Sequence, residues 1–169
     1  MREGFDSRRE IMKTKINFKK ALLWSVVVYV IDAIAGSLLY QNPVVSGIFS
    51  RYDGHPSMKP MEVFGGLGNW LALTMLFGLF LTIIFIILYL TIYKGIPGKG
   101  WNKGLYYGIM VGFIKAVPEA FNQWMIFDYP NILILIQMIN TLVGIMIFGI
   151  ALGFFFDKFK VITYEEIKK

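Results

Sequence analysis

From Leu71 to Leu90 the chain reads LALTMLFGLFLTIIFIILYL, and from Ile132 to Phe156 it reads ILILIQMINTLVGIMIFGIALGFFF. Neither stretch carries a charge, and each matches the roughly 20 apolar residues that a helix needs to span about 30 Å of hydrocarbon. Inside hydrocarbon every backbone N–H and C=O must be paired within the segment, so such runs must be helical. These two runs set the class of the whole chain as an integral membrane protein.

Working outward, two further segments reach the same length. Ala21 to Tyr40 is uncharged except for Asp32, while Leu105 to Phe127 is the most polar, holding Lys115, Glu119, Asn122 and Gln123. The reading is an all-α, polytopic four-transmembrane-helix bundle forming one integral membrane domain over residues 1–169, with spans at 21–40, 69–93, 105–127 and 132–156. At 56% hydrophobic and 17% charged residues, the composition is too apolar for a soluble domain of this size. AIAG at Ala33 to Gly36 follows a basic and then apolar run, as a signal-peptide processing site does. Asp32 interrupts that apolar run, so the first segment is read as a retained helix.

Basic residues give the orientation. Arg2, Arg8, Arg9, Lys13, Lys15, Lys19 and Lys20 precede the first span, Lys94, Lys99 and Lys103 lie between the second and third, and Lys158, Lys160, Lys168 and Lys169 follow the fourth. The other two connections carry only Arg51 and Lys59. The positive-inside rule therefore places both termini in the cytoplasm of a multi-pass protein of the cell inner or plasma membrane. This distribution also accounts for the net charge of +6. The lysines bracket apolar helices beside anionic lipid, so membrane lipids are the expected partner and nucleic acid is not. The chain has no Cys and one His, His55, which removes thiolate chemistry and multi-histidine metal sites from a single copy. No metal, cofactor or catalytic residue is predicted.

Pro43, Gly47, Gly54, Pro56 and Pro60 punctuate the long external connection Gln41–Gly68, where a short surface helix is expected near Val44, Ile48 and Phe49. The turn YKGIPGKGWNKG at 93–104 lacks the full phosphate-loop pattern. Its Lys94, Lys99 and Lys103 are candidates for lipid headgroup contact. In the third span Gly100, Gly104, Gly108, Gly112, Ala116 and Ala120 recur every four residues, a narrow side-chain-free strip for close helix packing. Its partner is either a helix of the same chain or another copy.

Lys115 and Glu119 share a helix face, with Asn122 beside them and Gln123 nearer the strip. Pro118 is expected to break the helix by removing the bond to the Ile114 carbonyl. Asp32, Gln137 and Asn140 fall at matching depth, so Asp32, Lys115, Glu119, Asn122, Gln123, Gln137 and Asn140 are expected to form a polar ion or ligand pathway. Ionisable residues inside a membrane are costly and point to function. The leading expectation is small-solute or ion transport by a homo-oligomer, with a small polar solute or cation as ligand. The alternatives are an accessory subunit of a larger membrane complex, or a lipid-acting enzyme with Asp32 and Glu119 as acid and base.

Overall fold

The computed structural model describes residues 12–166; Arg2, Arg8, Arg9, Lys168 and Lys169, counted above among the basic flanks, lie outside the described residues. Strand β1 (Met12–Ile16) leads into Asn17, whose side chain accepts the Lys20 N–H at 3.1 Å and so starts helix α1 (Phe18–Gln41). Asn42 serves two helices at once. Its Nδ2 donates to the Leu39 carbonyl at 2.8 Å, and its Oδ1 accepts the Val45 N–H at 3.0 Å to open the short helix α2 (Pro43–Ser50). Pro43 at the first helical position needs no hydrogen-bond acceptor.

A 3-10 turn at Met61–Phe64 and two glycines with positive φ, Gly65 and Gly66, redirect the chain into α3 (Leu67–Ile92). After a tight turn come α4 (Gly100–Ile126), α5 (Asn131–Lys158) and strand β2 (Ile162–Glu166). The protein is thus mostly helical. Helix α1, the segment from α3 through its 3-10 extension (67–95) and α5 are long and apolar enough to cross a membrane. Helix α4 is as long, but its polar residues keep it outside that set.

The sequence reading contained no strands, yet β1 and β2 pair antiparallel from Met12 opposite Glu166 to Ile16 opposite Ile162. The Asn17 N–H continues the ladder to the Val161 carbonyl at 2.9 Å, and Lys20 Nζ reaches the Phe159 carbonyl at 3.1 Å. Both ends of the described chain therefore lie at one end of the bundle. Close by, the Trp24 ring stacks on Phe159 at 3.7 Å between centroids and on Phe155 at 5.0 Å.

The tightest contact joins α4 to α5. A Cβ on Gly108 would sit 2.7 Å from the Ile145 carbonyl oxygen and 2.8 Å from Met146 Cα, and one on Gly149 would sit 2.9 Å from the Gly108 nitrogen. Gly104 likewise faces Gly149 and Gly153. The small-residue strip of α4 is thus occupied by α5 of the same chain. Backbones this close gain dispersion contacts along their whole length, which replaces the hydrophobic driving force missing in lipid. An aromatic group of Tyr89, Tyr93, Tyr107 and Phe156 fills the space towards the strands, with Tyr107 donating its hydroxyl to the Phe85 carbonyl. Helix α3 packs there through Thr82, Ile86 and Tyr89, whereas residues 71–77 are all exposed in the single chain, touched by α1 where the Tyr29 hydroxyl donates to the Met75 carbonyl at 2.9 Å.

Candidate functional site

At the end of the bundle away from the strands, larger side chains separate α4 from α5. The spacing Ala116, Glu119, Ala120, Gln123 keeps one face of α4 turned to Gln137 and Thr141 of α5. Together with Ile134 and Met138 these residues line a narrow cleft with about 10 Å³ of room for a water-sized sphere. That is the space of about one water molecule.

The cleft is polar. Lys115 Nζ meets Glu119 Oε2 at 3.0 Å along the helix, with the two side chains 34% and 51% exposed. So exposed an i,i+4 pair contributes no more than about 0.5 kcal/mol and leaves the lysine head free to move outward. Gln137 Nε2 donates to the Tyr129 hydroxyl at 3.0 Å. Burial pushes the Tyr129 phenol above its ordinary pKa, so it stays protonated at neutral pH. Helices α4 and α5 and the turn between them therefore converge here. Gln123 Oε1 is buried without any hydrogen-bond partner. A buried acceptor left unpaired costs about 1–3 kcal/mol, so this oxygen calls for a donor or a cation.

The residues expected to form one pathway separate into three places. Glu119, Gln123 and Gln137 line the cleft, and Lys115 joins them only through its pairing with Glu119. Asn140 does not: it is buried on α5, and its Nδ2 donates to the Leu39 carbonyl at 3.1 Å, satisfying an orphan acceptor at the end of α1. Asn122 is exposed on α4. Asp32 is half-buried on α1, and no cation among the described residues bears on it. Equal depth along helices did not mean equal direction around them. Asp32 and Glu119 do not come together as an acid and base pair.

Two further expectations are corrected. Helix α4 runs unbroken through Pro118, because losing one backbone bond is tolerated when neighbouring turns and helices hold the segment. Lys103 does not extend towards lipid. It is only 6% exposed, its Nζ donates to the Tyr93 carbonyl at 2.6 Å, and it lies 3.9 Å from the centre of the Tyr93 ring. Lys94 and Lys99 are exposed. His55, in the long connection, accepts the Ser57 N–H on Nδ1 at 3.2 Å and helps shape a turn.

Thr141 lines the cleft, and Tyr129 holds Gln137 there, without either having been singled out as a site residue. The available signal was spacing: Gln137 and Thr141 are four apart on one helix, facing Ala116, Glu119, Ala120 and Gln123 on the other. No protein-family model, curated protein or solved structure matches this chain.

Proposed function

We propose that this chain handles a small ion across the membrane, as a four-span bundle of the cell inner or plasma membrane with both termini cytoplasmic. The pairing of β1 with β2 at one end of the bundle supports an even number of crossings, and the basic residues beside α1, α4 and α5 favour the cytoplasmic side. Helix α4 is the fourth crossing: 27 residues of helix bound along a glycine face to apolar α5.

The observation that carries the ion reading is the α4–α5 cleft, where a carboxylate and an unpaired amide oxygen line a water-sized space and a lysine pairs with that carboxylate from beside it. Its size narrows the ligand from small solutes in general to ions. The cleft lining ends at Ala116 and Thr141, part-way along the helices, so a complete route needs further surface. A homo-oligomer supplies it, with exposed residues 71–77 of α3 as the apolar face available for association.

The test is cation flux in proteoliposomes, read with sodium-sensitive and pH-sensitive dyes. Wild type should exceed empty vesicles, and Glu119→Gln should lower the rate at least tenfold (about 1.4 kcal/mol of barrier) at equal incorporation. Wild-type flux equal to that of empty vesicles would overturn this reading. The exposed α3 face would then favour an accessory subunit of a larger membrane complex.

A further inference from the structure

The unpaired Gln123 oxygen and the charge balance of the cleft narrow its ligand further. We infer that the α4–α5 cleft binds one dehydrated monovalent cation of about the size of sodium, and that Lys115 is its built-in competitor. The inference deepens the ion-handling reading and rests on it for its physiological use.

The donor set is oxygen only. Glu119, Gln123, Gln137 and Thr141 supply carboxylate, amide and hydroxyl oxygens, and no imidazole or thiolate lines the cleft. Such ligands suit hard cations. With room for about one water, the cleft excludes a hydrated ion and any organic ammonium.

Charge sets the valence. Glu119 is the only carboxylate lining the cleft, and Lys115 already balances it. Replacing the ammonium by a monovalent ion leaves the local charge unchanged, the least costly exchange where water is scarce. A divalent ion would add an uncompensated positive charge. Among the described residues, no three His, Cys, Asp or Glu side chains gather to hold one.

The exchange needs little movement. Lys115 occupies Glu119 Oε2 with its side chain 34% exposed, so its flexible stem can carry the head outward as the ion enters. Gln123 Oε1 then receives the positive partner it lacks. Tyr129 accepts a hydrogen bond from Gln137 and keeps that side chain at the cleft.

The test is thermal unfolding of the full chain in lipid nanodiscs, titrated with sodium chloride against choline chloride at constant ionic strength. Sodium should raise the transition temperature saturably and choline should not. Lys115→Gln should lower the half-saturating sodium concentration at least tenfold, because the competitor is gone, and Gln123→Leu should raise it at least tenfold. Sodium-23 NMR line broadening on the wild type, reversed by unlabelled competing cations, gives the same answer without any variant. No sodium-specific effect in either wild type or Lys115→Gln would overturn the inference and leave a trapped water only. Proton flux with no sodium binding would also overturn it while sparing the ion-handling reading. Saturable sodium binding without flux would support this site and remove transport.

Discussion

Lys103 and Lys115 lie on the same helix, and their surroundings send them opposite ways. Lys115 stands half-exposed beside a carboxylate, a pairing legible in the sequence because residues four apart share a helix face. Lys103 precedes the predicted start of the span at Leu105, and its burial was not legible. It depends on how the turn at 93–99 folds back, through Gly98 and Gly100 with φ of 85° and 52°, to bring the Tyr93 carbonyl within 2.6 Å. Desolvation lowers the Lys103 pKa, while Asp157 pulls it back up. Between that lowered value and the ordinary one, the folded state binds fewer protons than the unfolded state. Stability from this residue therefore rises with pH as the buried charge is relieved. Unfolding followed with rising pH up to the ordinary lysine value of about 10.4 should show this rise in the wild type, with a flatter profile in Lys103→Met. Equal slopes would mean that Lys103 is not a desolvated charge.

At the scale of the element, glycine positions on α4 are not equivalent. A Cβ on Gly108 meets the Ile145 carbonyl at 2.7 Å and Met146 Cα at 2.8 Å, both backbone atoms that cannot rotate away. On Gly112 the nearest atom is Leu142 Cδ2 at 3.4 Å, the tip of a flexible side chain. Gly108→Ala should therefore lose about 1–3 kcal/mol by overpacking, or push the helices apart. Gly112→Ala should cost less than about 1 kcal/mol, and Gly36→Ala, with nothing within 4 Å, serves as the control. Reversible unfolding in mixed micelles measures all three. Equal losses at 108 and 112 would contradict the close α4–α5 approach. The strip itself was legible as a period of four. Its partner was not, because Gly149 and Gly153 on α5 form a strip too short to outweigh a second copy on sequence alone. Asn140 shows the same limit: a polar residue inside an apolar helix announces a partner, but not that the partner is the Leu39 carbonyl.

For the whole molecule, the helical class and the three long apolar helices followed from hydropathy, because lipid leaves the backbone so few choices. The terminal ribbon did not. MKTKI and ITYEE are each five residues without a clear apolar alternation, and they pair across nearly the full length of the chain. The cleft was half legible. Lys115, Glu119, Gln123 and Gln137 declared themselves as polar groups in spans, whereas the separation of Asp32 and Asn140 from them depends on helix rotation that depth alone does not fix. The account joins a four-span topology to an ion site at the end of the bundle away from the terminal strands. One measurement addresses both: a high-resolution structure of the full chain in a lipid nanodisc with sodium present. The expected result is four helices crossing the disc, the β1–β2 ribbon on one face, and ordered density within about 3 Å of Gln123 Oε1 and the Glu119 carboxylate. A dry cleft with Gln123 Oε1 paired to a protein donor, or α4 lying outside the bilayer, would contradict the account.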